Sequence, residues 1–73
     1  MTITDEFEED GHHYCYLPRI DEADCDALIA FCNRSYAPGS WGFQFDPCTH
    51  LSHAIQLWFL DANDMMLLKL WLA

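Results

Sequence analysis

Two stretches decide how this chain is read: Ile20-Asp21-Glu22-Ala23-Asp24-Cys25-Asp26-Ala27-Leu28 and Leu60-Asp61-Ala62-Asn63-Asp64-Met65-Met66-Leu67-Leu68. In each, an aspartate (Asp21, Asp61) stands where a helix N-cap belongs. A second (Asp24, Asp64) occupies the third helical position, where a carboxylate suits the positive end of the helix dipole. The apolar pairs Ile20 with Cys25 and Leu60 with Met65 are placed as hydrophobic staples across each start. Beyond the first start, Cys25, Leu28, Ile29, Cys32 and Tyr36 keep helical spacing, and the helix is expected to end before the breakers Ala37-Pro38-Gly39-Ser40. Beyond the second, Met65, Leu68 and Lys69 predict a helix of about two turns.

Outward from these starts the period changes to that of strands. Tyr14 to Leu17 reads as a short strand ended by Pro18. Trp41, Phe43 and Phe45 alternate with Gly42 and Gln44 and are closed by Asp46-Pro47. Ala54 to Leu60 alternates Ile55, Leu57 and Phe59 against Gln56 and Trp58, and Leu70-Trp71-Leu72 alternates again as a closing edge strand. Strand–helix–strand thus occurs twice, predicting an α+β fold: a ferredoxin-like βαββαβ sandwich, with an antiparallel sheet and two helices on one face. Residues 1–12 are read as an acidic N-terminal arm and 13–73 as a single small α+β domain. The expected helix-facing set is Cys15, Leu17, Phe43, Phe45, Ile55, Leu57, Phe59, Leu70 and Leu72. The expected outer set is Tyr14, Tyr16, Gln44, Gln56, Trp58 and Trp71. In that strand order Tyr16, Trp58 and Trp71 cluster as an exposed aromatic patch, unless the arm with Ile3 and Phe7 folds over them.

Composition bounds what such a body does. Its 73 residues carry twelve Asp plus Glu against three Lys plus Arg, a formal net charge of −9, so neither a nucleic-acid backbone nor an anionic membrane suits it. A hydrophobic share of 52% sets it apart from disordered acidic chains. The charge is polarised: nine of the acids fall in residues 1–26. Asp21 and Asp24 are accounted for by capping; Asp5, Glu6, Glu8, Glu9, Asp10, Glu22 and Asp26 are not. The start of the chain is acidic rather than basic-then-apolar, so no secretory signal is read and a cytoplasmic address is expected. The four cysteines, Cys15, Cys25, Cys32 and Cys48, would suit two disulfides in a secreted chain; in the cytoplasm free buried thiols are expected.

Signals for chemistry are sparse. Cys48-x-His50-x-x-His53 offers three zinc-type donors, with Cys15, His12 or His13 as a fourth, yet the spacing matches no zinc-finger or ribbon pattern. Histidines in a polar loop are ordinarily just solvated. Ser52 beside His53 and Cys48 near His50 are fragments of nucleophilic sites, and no glycine-rich phosphate loop precedes a helix. No enzyme activity and no cofactor are expected.

The Asp5–Asp10 run, the helix start Asp21-Glu22-x-Asp24-x-Asp26, and the ending Ile55-Gln-Leu-Trp-Phe-Leu-Asp-Ala-Asn-Asp-Met-Met-Leu-Leu-Lys69-Leu-Trp71 resemble small acidic phage-encoded inhibitors of the anti-CRISPR type. The resemblance is one of type and spans most of the chain; it rests on no diagnostic motif and carries over no residue role. It implies a non-enzymatic inhibitor in the host cytoplasm, acting as a DNA mimic on the basic nucleic-acid-binding surface of a Cas effector subunit or another nucleic-acid-processing protein. It implies no direct binding of nucleic acid or membrane by the inhibitor itself, which would be a monomer or weak homodimer. On this reading Asp5, Glu6, Glu8, Glu9, Asp10, Glu22 and Asp26 make the contact, with Tyr16, Trp58 and Trp71 adding area. The alternative is a homo-oligomeric or regulatory interaction module that uses the aromatic sheet face, its acidity serving only solubility.

Overall fold

A computed structural model describes residues 2–46 and 53–73. The elements run β1 (Asp5–Glu9), β2 (His12–Ile20), α1 (Glu22–Ser35), β3 (Trp41–Asp46), β4 (His53–Phe59) and α2 (Ala62–Leu72). The four strands form one antiparallel sheet in the order β1-β2-β4-β3. The α+β class, the antiparallel sheet and the two helices agree with the sequence reading. The ferredoxin-like order does not: the chain runs ββαββα.

Two segments account for the difference. The acidic segment is an edge strand, not an arm. Asp10 and Gly11 both take positive φ, 52° and 79°, the left-handed pair of a two-residue hairpin turn that folds β1 back on β2. At the other end Leu70-Trp71-Leu72 does not form a strand but continues α2. Trp71 stacks on Phe31 of α1 with centroids 4.6 Å apart, and Leu70, expected inward, is 69% exposed.

Both helix starts form as their residues dictate. The Asp21 carboxylate accepts the Asp24 amide hydrogen bond at 2.7 Å, and the Asp61 carboxylate accepts that of Asn63 at 2.9 Å. At the far end of α1 the buried Tyr36 donates its hydroxyl to the Asp64 carbonyl of α2 at 2.7 Å, tying the two helices together.

β2 extends through Pro18, beyond the predicted strand. Its register shifts between Leu17 and Ile20, and Arg19 takes φ 56° there. The bulge returns Ile20 to the side of Leu17, so both are buried despite their odd spacing. The core lies between one sheet face (Cys15, Leu17, Ile55, Leu57, Phe59) and the helices (Cys25, Leu28, Phe31, Cys32, Leu68). Phe43 and Phe45 sit on that same face as predicted, but on edge strand β3, where they are 41% and 45% exposed.

Candidate protein-binding face

Among the described residues strand alternation leaves the second sheet face free of helices, and the register sorts its residues into rows. Phe7, Tyr14, Trp58 and Gly42 are successive cross-strand partners from β1 to β3. Asp5, Tyr16, Gln56 and Gln44 form the neighbouring row, and Glu9 with His12 closes the face beside the turn. The middle row is an aromatic platform. Phe7 stacks on Tyr14 with centroids 4.8 Å apart and planes 11° from parallel, and His12 meets the Trp58 ring edge-on at 5.1 Å. The Trp58 indole packs directly against Gly42: a Cβ built at that glycine would come within 2.5 Å of three of its ring atoms. Asp5, Phe7, Tyr16 and Gln56 also line a shallow open hollow on this face, with Glu6 at its rim.

The site residues predicted from sequence divide accordingly. Asp5, Glu9, Tyr16 and Trp58 share the open face, and Asp10 stands in the turn beside it. Glu6 and Glu8 point to the opposite side of β1, where Glu6 pairs with Lys69 of α2 and Glu8 lies 3.4 Å from His13. Glu22 and Asp26 are exposed in the helix layer, at the end of β2 away from the turn. Trp71 does not join Tyr16 and Trp58. It lies on α2, across the sheet from them, because the segment predicted as a strand is helical. His12 is the member of the platform that the sequence reading did not place there; that reading brings Phe7 there only as part of an arm folded over the patch, not as a strand residue opposite Tyr14. Asp10-Gly11 is the signal that would have found them, since that dipeptide favours a two-residue hairpin and puts Phe7 opposite Tyr14.

The zinc reading finds no support in the placement of its fourth ligand. His12 and His13 are neighbours on a strand and face opposite sides of the sheet, while Cys15 is buried in the core. Cys48 and His50 lie outside the described residues, as does the side chain of His53. Among the described residues no three His, Cys, Asp or Glu side chains gather as a metal site. The thiols of Cys15, Cys25 and Cys32 are free and buried. Burial pushes Cys15 and Cys32 up to about 12; at Cys15 the nearby Glu6 carboxylate adds to the effect. Both are therefore protonated, poor nucleophiles at neutral pH.

No family model matches the chain, and neither the curated proteins nor the solved structures contain a significant match to it. Among the described residues no helix is long and apolar enough to cross a membrane.

Proposed function

We propose that this protein is a non-enzymatic binding module for a basic partner, an inhibitor that occupies the nucleic-acid-binding surface of a nucleic-acid-processing protein such as a Cas effector subunit. The observation that carries the reading is β1: four of its five residues are carboxylates and all five are exposed, on an edge strand continuous with the aromatic row. Carboxylates held on a sheet at fixed spacing attract a surface built for phosphates, and the approach is fast and salt-sensitive. Phe7, Tyr14 and Trp58 supply contact area that salt does not screen. The same aromatic row would stack nucleobases in a basic protein, but Asp5 and Glu9 on either side of it repel a phosphate chain.

The test is capture from a bacterial lysate on immobilised protein, repeated with an Asp5→Lys/Glu9→Lys/Asp10→Lys variant and with double-stranded DNA as competitor. Captured proteins that DNA displaces and the variant fails to hold support the reading. A captured set indifferent to both treatments refutes it.

A second reading, self-association, is favoured by a different surface. Phe43 and Phe45 on edge strand β3, at the opposite edge of the sheet from β1, and Met66, Leu67 and Leu70 on α2 are exposed apolar groups. Light scattering over a concentration series separates the two: a tight dimer insensitive to Asp5 and Glu9 substitution favours this one.

A further inference from the structure

We infer that the free edge of β1 accepts an extended basic segment of the partner as a fifth strand of the sheet; the inference rests on the proposed basic partner and specifies how it is held. In the order β1-β2-β4-β3 the outer side of β1 has no neighbouring strand among the described residues. The two-residue loop makes Glu9 and His12 the closing hydrogen-bonded pair, so alternation directs the amides and carbonyls of Glu6 and Glu8 away from β2. An unpaired edge of this kind is a template for another strand, and what it pairs with is governed by the side chains along it.

Those side chains favour one occupant. A second β1 laid on this edge would set carboxylate against carboxylate at nearly every position, and like charges directly opposite destabilise a strand pair. A strand carrying arginine or lysine reverses each of those contacts. Side chains on the open face of the incoming strand reach Asp5 and Glu9 and, between them, the exposed ring of Phe7, where a guanidinium stacks. Those on the other side meet Glu8 and Glu6, the latter already paired with Lys69. The shallow hollow lined by Asp5, Phe7, Tyr16 and Gln56 begins at this edge and runs onto the open face. Backbone pairing supplies affinity and the carboxylates supply the choice of partner, so the edge is closed to copies of itself and open to a basic chain.

The experiment uses the whole protein, labelled with 15N, and a peptide of alternating arginine and threonine matched in length to β1. Two further peptides carry N-methyl groups on one or the other set of alternate amides, with charge unchanged. The amide resonances of Glu6 and Glu8 are expected to shift and to gain protection from exchange as the parent peptide binds. One N-methylated peptide is expected to bind about tenfold more weakly or worse, because its blocked amides face β1, while the other, blocked on the solvent side, binds like the parent. Equal binding of all three peptides would mean that charge alone is recognised, overturning strand addition while leaving the basic-partner reading intact. Failure of all three to bind in low salt also overturns it. An Asp5→Lys/Glu9→Lys variant that keeps the spectrum of a folded chain yet binds the parent peptide undiminished removes the electrostatic choice of partner.

Discussion

Gly42 is the residue on which the open face turns. Its missing side chain leaves room for the Trp58 indole against β3, and Trp58 in turn stands beside Tyr14 and meets the His12 ring edge-on. An Ala there has no space unless the indole moves, and overpacking of this kind typically costs about 1–3 kcal/mol. Gly42→Ala is therefore expected to lower the urea midpoint and to alter tryptophan fluorescence, since Trp58 leaves its seat. Unchanged stability and emission would mean that the indole does not depend on that glycine. The hydrophobic alternation of residues 41–45 places Gly42 on the outer face from sequence alone. That it serves as a seat for an indole is not legible there, because the partner lies on another strand.

At the scale of elements, legibility follows the range of the interaction. Both helix starts were readable because a cap is local: Asp21 and Asp61 reach amides only two or three residues on. The faces of β2, β3 and β4 were readable because period two is local as well. Leu70-Trp71-Leu72 misleads because a short apolar run fits either period. In the fold it continues α2, where Trp71 stacks on Phe31, forty residues back in the sequence. β1 misleads through composition, since Asp and Glu are poor strand formers; the Asp10-Gly11 turn and pairing with β2 override that preference. The layer between β2 and α1 makes a pH prediction of its own. Cys15 and Cys32 keep their protons to about pH 12 in the folded chain, whereas unfolded thiols release theirs near pH 9. A raised acid pKa of this kind leaves stability whole below pH 9 and removes it progressively as pH rises from 9 towards 12. Urea midpoints should therefore fall across that window. A Cys15→Ala/Cys32→Ala variant, weaker at neutral pH through its cavities, should fall less steeply. Equal alkaline slopes in the two proteins would show that these thiols do not report on the layer.

For the molecule as a whole, the charge of −9 opposes folding and favours encounter with a basic partner. β1 concentrates the conflict: four carboxylates sit within five exposed residues, and only Glu6 has a lysine beside it among the described residues. Repulsion among exposed groups is screened once the Debye length drops from about 30 Å in 0.01 M salt to about 8 Å at 0.15 M. The melting temperature is therefore expected to rise over that range, against the weakening of partner binding over the same range. The Asp5→Lys/Glu9→Lys variant relieves the repulsion directly. It leaves the Glu6–Lys69 pair in place, exchanges residues that are exposed, and puts lysine where a strand edge commonly carries one. It should melt higher than the parent in low salt, with the gap closing as salt is added, while losing affinity for basic peptides. That pairing of gained stability with lost binding is the signature of charges retained for recognition. A variant that melts lower than the parent in low salt would instead show that Asp5 and Glu9 stabilise the sheet, and the acidic edge would then be a feature of the fold before it is a feature of any partner.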